Sequence, residues 1–194
     1  MPSVIPERVQ TLFKKFPALF GTIEELNEAN IPFLIGGSGC LFLLGNERSP
    51  DDVDIYLPDD SHDKADQIFE TQSFTYKSPS EDVRNSNPNG DHSMQLTSRL
   101  RLDILDKTYN LSLNTHMFNQ ALPVQFDGLH FQLLPPEDVL LIKALLQRGK
   151  DVGKHDIEDI KNFLAIVPDI RRDYLNERIR SLDATERVGT IFSV

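Results

Sequence analysis

Two short segments constrain this chain more than any other part of it. They are the turn Gly36, Gly37 and Ser38, and the acidic pair Asp52 and Asp54, which lies within an apolar run. Residues i and i+2 of a β-strand project to the same face, so the two aspartates are expected to lie side by side. Adjacent carboxylates repel each other unless a cation lies between them, and a hard divalent cation is the usual partner. The pair therefore predicts a metal site.

The glycine turn directly follows the apolar segment 32–35 and precedes an apolar helix that Ser38 is expected to cap. Backbone N–H groups exposed at such a turn, at the N-terminus of a helix, bind phosphate oxygens well. A phosphate cradle followed by a metal-binding acidic pair predicts chemistry on a nucleotide.

The order of periodic segments predicts an α/β (α+β) fold, in which helices flank a small mixed β-sheet and a helical part follows. Short apolar runs and alternating segments, which indicate strands, are confined to the part of the chain before residue 134. Helical patterns dominate after it. We therefore predict a core with N-terminal helices, residues 1–134, and a helical C-terminal part, residues 135–194, packed on that core.

Four further elements are predicted in the second half of the core. A helix is expected from Ser61 to about Thr71, followed by a strand at residues 74–77. Residues 78–91 are polar and rich in turn-forming residues, which predicts a loop. The segment 124–131 has the pattern of a β-hairpin with an Asp-Gly turn.

A third candidate carboxylate lies in the segment Arg101 to Ile104. The apolar residues of this segment occupy even positions, so Asp103 faces the other way, together with Arg101. If that face also carries Asp52 and Asp54, three carboxylates converge and can hold two Mg²⁺ ions. The nearby Asp106 falls on the apolar parity, which disfavours it.

Composition excludes several classes of function. The 194 residues carry a net charge of −10, which argues against a surface built to coat long nucleic-acid duplexes but permits a local groove for one RNA end. No apolar stretch approaches the roughly 20 residues of a membrane span, and the N-terminus lacks a signal-peptide pattern. The single cysteine, Cys40, excludes an internal disulfide and a cysteine-built zinc site. We expect a cytoplasmic protein without a membrane partner.

These motifs, taken in order, match a known pattern. A glycine turn, a helix, Asp52 and Asp54 on a strand, and Asp103 on a later strand together resemble the DNA polymerase beta-like nucleotidyltransferase superfamily. Residues 36–45, with Arg48 and the acidic pair, are similar to the segment shared by transfer-RNA CCA-adding enzymes and lincosamide nucleotidyltransferases. The fold implied by this resemblance is the nucleotidyltransferase fold.

A second resemblance lies downstream. Residues 136–143 begin with Pro-Glu-Asp and end at a lysine, and they are followed by Arg148, Lys154, Asp156 and Asp159. This arrangement is similar to the bacterial minimal nucleotidyltransferases and to nucleotidyltransferase toxins of the abortive-infection type. A toxin–antitoxin role is therefore one expectation.

The resemblance implies a nucleoside triphosphate as substrate and two Mg²⁺ ions as cofactors. Asp52 and Asp54 would ligate both ions. Asp103 would ligate only the catalytic ion and would help to deprotonate the acceptor hydroxyl.

The resemblance also implies phosphate contacts. Gly37 and Ser38, in the turn that begins at Gly36, would contact the β- and γ-phosphates. Lys143 would reach the triphosphate, although an ordinary solvated lysine explains the same position.

The remaining polar candidates have two interpretations each. Arg48 either contacts phosphate or pairs with the acidic cluster. Lys154 either lies near the nucleotide, as in the resembling families, or belongs to a solvated loop. Asp156 and Asp159 either orient Lys143 or cap the helix that begins there.

The leading hypothesis is an enzyme that transfers a nucleoside monophosphate from a nucleoside triphosphate to a hydroxyl. The acceptor is an RNA end such as that of transfer RNA, a protein side chain or a small molecule such as an antibiotic; the toxin-like pattern ranks RNA first. The alternative is a non-catalytic nucleotide- or partner-binding protein on the same fold, such as an antitoxin or regulator. The sequence leaves the oligomeric state undetermined.

Overall fold

Two helices open the structure, a computed structural model that describes residues 2–61, 63–65, 93–97 and 101–192. Helix α1 spans Pro6–Lys15 and helix α2 spans Ala18–Glu28. The break between them falls at Pro17, where the missing N–H interrupts the helical hydrogen bonds. Their apolar faces, including Leu12 and Leu19, are buried in the core.

The centre of the molecule is a mixed five-stranded sheet, and this confirms the predicted fold class. Its strands are β1 (Leu34–Ile35), β2 (Asp52–Tyr56), β3 (Ser93–Thr97), β6 (Leu122–Phe126) and β7 (Leu129–Leu133). Strand β1 pairs antiparallel with β2 and parallel with β7, while β2 pairs parallel with β3 and β6 pairs antiparallel with β7. The spatial order is therefore β3-β2-β1-β7-β6.

The predicted hairpin at residues 124–131 is confirmed by β6 and β7. Asp127 and Gly128 form its turn, and both have positive φ, 48° and 84°. Positive φ at both central residues is the requirement of a type I′ turn, whose twist matches that of the strands it joins. Glycine and aspartate tolerate this conformation, so the turn is encoded locally.

Two further strands form a separate sheet. Strands β4 (Arg101–Ile104) and β5 (Lys107–Asn110) pair only with each other among the described residues. Strand β4 of this hairpin contacts the helix Pro136–Leu146, and a short helix α4 (Thr115–Gln120) follows the hairpin. Among the described residues, Asp103 therefore lies in a different sheet from the acidic pair of β2, so the condition set for three converging carboxylates, a shared sheet face, is not met there.

The C-terminal part is helical, with a short 3₁₀ turn at Lys150–Val152. The central helix of this part is α5 (Pro136–Leu146), and two ion pairs connect its first turn to α7 (Arg172–Ser181). Glu137 pairs with Arg171, the residue before α7, and Asp138 pairs with Arg178, each at 2.7 Å. Helix α5 is buried on nearly all sides, and apart from Glu137, Asp138 and Lys143 its residues are apolar. The four helices are α5 (Pro136–Leu146), α6 (Asp156–Ile166), α7 (Arg172–Ser181) and α8 (Thr185–Phe192).

Some predictions fall outside the described residues. They include the strand at 74–77, the loop at 78–91 and most of the helix from Ser61, of which residues 63–65 are helical. The division at residue 134 stays a prediction. None of the described helices has the length and apolar character needed to cross a membrane.

Candidate nucleotide-binding site

The glycine turn brings the backbone of the chain directly against the acidic strand. Helix α3 (Gly37–Leu43) begins at the second glycine, and the Gly36 N–H donates a hydrogen bond to the Asp54 carbonyl at 2.9 Å. A Cβ atom on Gly37, whose φ is +55°, would lie 1.7 Å from Asp54 Oδ2. A Cβ atom on Gly36 would lie 2.2 Å from the ring of Tyr56. Both positions therefore favour glycine, because a Cβ atom would displace the side chain of Tyr56 or Asp54, and the positive φ of Gly37 adds backbone strain for any other residue.

The prediction that Ser38 caps this helix is wrong. The N-cap position is Gly36, and no side chain caps α3. Ser38 lies within the first turn of the helix, where its hydroxyl is available to other partners. The glycine turn is thus the start of a helix, as predicted, but Ser38 has another role in it.

The acidic pair lies as its spacing predicts. Asp52 and Asp54 are both half-buried on one face of β2, while Val53 and Ile55 are fully buried on the other face. Burial and, second to it, the neighbouring charge of Asp52 raise the pKa of Asp54 from 3.8 to about 6. The ionised pair is therefore held at a free-energy cost, which is the situation that a bound cation relieves.

Two cations converge on the hydroxyl of Ser38. Arg48 Nη2 donates to Ser38 Oγ at 3.1 Å, and Lys143 Nζ donates to the same oxygen at 3.4 Å. Lys143 is only 5% exposed, so the interpretation of it as a solvated lysine is wrong. The arrangement gathers one hydroxyl, one ammonium and one guanidinium at the glycine turn.

A second pair of carboxylates, on α6, holds these cations in place. Asp159 accepts hydrogen bonds from Arg48 Nε at 2.9 Å and from Lys143 Nζ at 2.8 Å. Asp156 accepts from Lys143 Nζ at 3.2 Å and from Arg148 Nε at 2.9 Å. Arg48 therefore pairs with an acidic residue in this structure, and both aspartates orient Lys143, one of the two interpretations that the sequence leaves open.

The pKa values of this second pair shift downwards. Burial by itself would raise the pKa of Asp156 and of Asp159. Hydrogen bonds from Arg148 to Asp156 and from Arg48 to Asp159, together with the charge of Lys143, outweigh burial and lower both pKa values below their ordinary range. These carboxylates stay ionised because they are fully paired.

Lys154 approaches the acidic strand from the loop between α5 and α6. Its Nζ lies 3.4 Å from Asp52 Oδ2, and its side chain is 37% exposed. The same ammonium favours the ionised form of Asp54. Lys154 is thus placed beside the acidic pair while its side chain stays partly exposed to solvent, and its contact with the nucleotide stays a prediction.

Asp103 is not brought to this site. It is exposed on β4, and its Oδ1 accepts a hydrogen bond from Thr108 Oγ1 across the β4–β5 hairpin at 2.5 Å. Within residues 2–61, 63–65, 93–97 and 101–192, no three Asp, Glu, His or Cys side chains are grouped to hold a metal ion. The described part of the chain offers two carboxylates here, where the sequence predicts three.

Arg148 is the residue that sequence reasoning underestimated. It appears in the downstream resemblance, but nothing in the pattern alone assigns it a place. In the structure its charge favours the ionised form of Asp54, while Asp156 holds its Nε and its backbone N–H, the latter at 3.0 Å. The sequence signal for Arg148 is the pair Asp156 and Asp159 downstream of it. These acids are one helix turn apart, so they lie on one face of α6 and can hold a cation there.

The fold and this site together define a class of protein. A glycine turn, a carboxylate pair on the following strand and a buried lysine from a later helix are the features of the nucleotidyltransferase fold named above. Residues 15–187 match the family described as "Nucleotidyl transferase of unknown function (DUF2204)". The chain belongs to this family and is a nucleotidyltransferase.

Solved structures show the same fold. The solution structure of the antibiotic-resistance factor ANT(2'')-Ia is 14% identical, with a TM-score of 0.53, and the match covers 93% of this chain and 96% of that one. The crystal structure of ANT(2'')-Ia in complex with adenylyl-2''-tobramycin is also 14% identical, with a TM-score of 0.51 over 84% of this chain and 96% of that one. At this identity the likeness concerns the fold alone. No curated protein matches the chain.

Proposed function

We propose that this protein transfers a nucleoside monophosphate from a Mg²⁺-bound nucleoside triphosphate to a hydroxyl group. One observation carries the proposal: the Ser38 hydroxyl at the glycine turn is bracketed by Arg48 and Lys143, while the same turn is in contact with Asp54. The Ser38 hydroxyl, Arg48 and Lys143 match the charge and hydrogen-bonding needs of a triphosphate. The Asp54 carboxylate beside the turn matches the needs of a metal ion.

The phosphate contacts are assigned to the turn and to the cations behind it. The backbone of Gly36 and Gly37 and the hydroxyl of Ser38 bind the β- and γ-phosphates. Lys143 supplies a fixed positive charge, since two carboxylates of α6 hold its ammonium in one position. Arg48 contributes in the same way through its pair with Asp159.

The donor set of β2 fits Mg²⁺. Two carboxylates on one strand face are hard oxygen ligands, and Mg²⁺ in nucleotide sites is typically held by one or two carboxylates while phosphates and water complete its shell. Asp52 and Asp54 are therefore assigned as the protein ligands. When bound, the metal stabilises charge on the reacting phosphate and on the leaving pyrophosphate. Titration with the metal ion tests the prediction that two ions bind.

The reaction balances without any further reagent. The acceptor oxygen forms a bond to the α-phosphorus, and the bond from the α-phosphorus to the bridging oxygen of the pyrophosphate breaks. The acceptor hydroxyl releases its proton to water. Pyrophosphate leaves with the electron pair of the broken bond, and the acceptor carries the nucleoside monophosphate.

Three classes of molecule are candidates for the acceptor of the nucleoside monophosphate. An RNA end remains first, on the toxin-like pattern of residues 136–159, although the net charge of −10 repels a polyanion. Modification of a protein side chain is the second. A small molecule is the third, and the adenylyl-2''-tobramycin bound to the structural neighbour makes an aminoglycoside a natural probe.

The test is label transfer from each of the four α-labelled nucleoside triphosphates, with Mg²⁺ and with a chelator. Each reaction is run with the protein alone, with total transfer RNA and with tobramycin. Mg²⁺-dependent transfer to any acceptor supports the proposal, and the labelled species identifies the acceptor. Nucleotide binding without transfer in every arm contradicts it and favours the non-catalytic alternative.

A further inference from the structure

Lys154 occupies a position that distinguishes it from the other cations of the site. Its ammonium contacts Asp52, a proposed metal ligand, at 3.4 Å. By contrast, Lys143 and Arg148 are anchored on Asp156 and Asp159 of helix α6. Of these three cations, Lys154 favours the ionised Asp54 carboxylate most. Lys154 thus acts as a counter-ion of the acidic pair.

The loop that carries Lys154 allows its side chain to move. The residue follows Gly153, whose φ is +68°, and a 3₁₀ turn, and its backbone N–H is tied to the Gly149 carbonyl at 3.0 Å. The backbone is therefore fixed while the side chain, 37% exposed, reaches across to β2. A long flexible lysine can exchange one anionic partner for another at small cost.

We propose that Lys154 changes partners during the cycle: it neutralises Asp52 in the nucleotide-free protein and moves to the triphosphate when Mg²⁺ and nucleotide bind together. This inference rests on the proposed function. An ammonium and a metal ion compete for the same carboxylate oxygens, so metal alone binds weakly while Lys154 stays on Asp52. The triphosphate brings several negative charges, which offer Lys154 a new partner and free Asp52 for the metal.

The proposal makes one substitution act in opposite directions on two ligands. Lys154→Gln removes the competing charge, so Mn²⁺, a spectroscopic substitute for Mg²⁺, is expected to bind the nucleotide-free protein about two- to fivefold more tightly, the range of a partly exposed ion pair. The same substitution removes a phosphate contact, so each nucleoside triphosphate that serves as a substrate is expected to bind about threefold to tenfold more weakly. A lysine with a merely structural role would not separate the two effects.

A matched control lies in the same loop. Lys150 pairs with Glu158 at 2.9 Å and its side chain is 70% exposed. Lys150→Gln also removes one positive charge from this loop, but that charge pairs with a residue of α6 instead of the acidic strand. We expect it to leave both affinities within about twofold of the wild type.

The experiment measures free Mn²⁺ by electron paramagnetic resonance during titration of the nucleotide-free wild type, Lys154→Gln and Lys150→Gln. Nucleotide affinity is measured by calorimetry with the four triphosphates in Mg²⁺, and thermal unfolding checks that each variant is folded. Tighter Mn²⁺ and weaker nucleotide binding in Lys154→Gln alone is the expected result. Unchanged or weaker Mn²⁺ binding in that variant overturns the inference, while wild-type label transfer would still support the proposed function. If the wild type binds neither Mn²⁺ nor nucleotide, both proposals fall.

Discussion

The protein places two pairs of aspartates near its glycine turn, and their charges are balanced in opposite ways. Asp52 and Asp54 lie on a strand, and the pKa of Asp54 is raised because burial and a like charge act on it. Asp156 and Asp159 lie on a helix, are almost fully buried, and have lowered pKa values because cations outweigh their burial. Burial alone therefore does not explain the opposite pKa shifts, because the more deeply buried of the two pairs is the one whose pKa values are lowered.

The difference lies in what each pair still needs. The helical pair already has its partners: Arg48, Lys143 and Arg148. Adding a metal there would displace existing ion pairs. The strand pair carries negative charge that the surrounding cations stabilise less completely, so a divalent ion lowers its free energy. The strand pair is suited to binding, and the helical pair is suited to fixing the cations that face a ligand.

The largest effect is expected at the strand pair. Asp54→Asn removes a proposed metal ligand, and we expect a loss of at least about a thousandfold in kcat/KM, equivalent to about 4 kcal/mol of transition-state stabilisation. Label transfer under single-turnover conditions measures it. Asp51→Asn is the matched control, because Asp51 directly precedes β2 and its side chain is 81% exposed. Near wild-type transfer by Asp54→Asn would reject the assigned metal site.

The next effect is expected at the helical pair, and it concerns stability. Asp159→Asn leaves Lys143 and Arg48 short of a buried partner, so the free energy of unfolding is expected to fall by about 3 kcal/mol. Denaturant unfolding at pH 7.5 measures it. Asp54→Asn should show no such loss, because it relieves a charge that the fold holds at a cost. Equal destabilisation by both variants would remove the contrast between the pairs.

The third effect is a pH dependence. The pKa of Asp54 is about 6 in the folded protein against 3.8 ordinarily, so the folded state binds the extra proton between these values and this residue's contribution to stability falls as pH rises through that window. Above pH 6 the carboxylate is ionised and ready for metal. Mn²⁺ affinity of the nucleotide-free protein is expected to fall by up to about tenfold per pH unit below pH 6. In Asp54→Asn this dependence should disappear; a profile flat down to pH 5 in the wild type would refute the assignment.

The smallest effect is expected at Asp103. Because it lies exposed on a separate hairpin, Asp103→Asn should change kcat/KM by less than about threefold, as expected for a surface substitution away from the site. Asp106→Asn, in the turn of the same hairpin, is the control. A loss comparable to that of Asp54→Asn would instead bring Asp103 back as the third carboxylate of the site.

Several features of the site follow from short stretches of sequence. The alternation of β2 predicts that Asp52 and Asp54 share a face, because the period of a strand is fixed by its backbone geometry. The turn at Gly36 and Gly37 is equally local, since only glycine permits the close approach of Asp54 and Tyr56. The Asp-Gly turn of the hairpin β6–β7 is encoded in the same way.

Other features depend on partners that lie far apart in the chain. The alternation around Asp103 predicts a strand face correctly, but it contains no information on which sheet the strand joins. Lys143 fits both a solvated and a buried interpretation until α6 supplies Asp156 and Asp159. Arg48 likewise has two possible partners until the packing of α6 brings Asp159 to it.

By itself, the sequence determined the mixed α/β fold, the glycine turn and the paired aspartates, because steric limits and strand periodicity act within a few residues. The tertiary structure alone decided which charges are balanced. The pKa of a carboxylate depends on the cations and the solvent within a few ångströms, and at this site those neighbours come from helices and loops remote in the chain. The spacing of the aspartates therefore does not show which pair is balanced by cations, and the folded protein does.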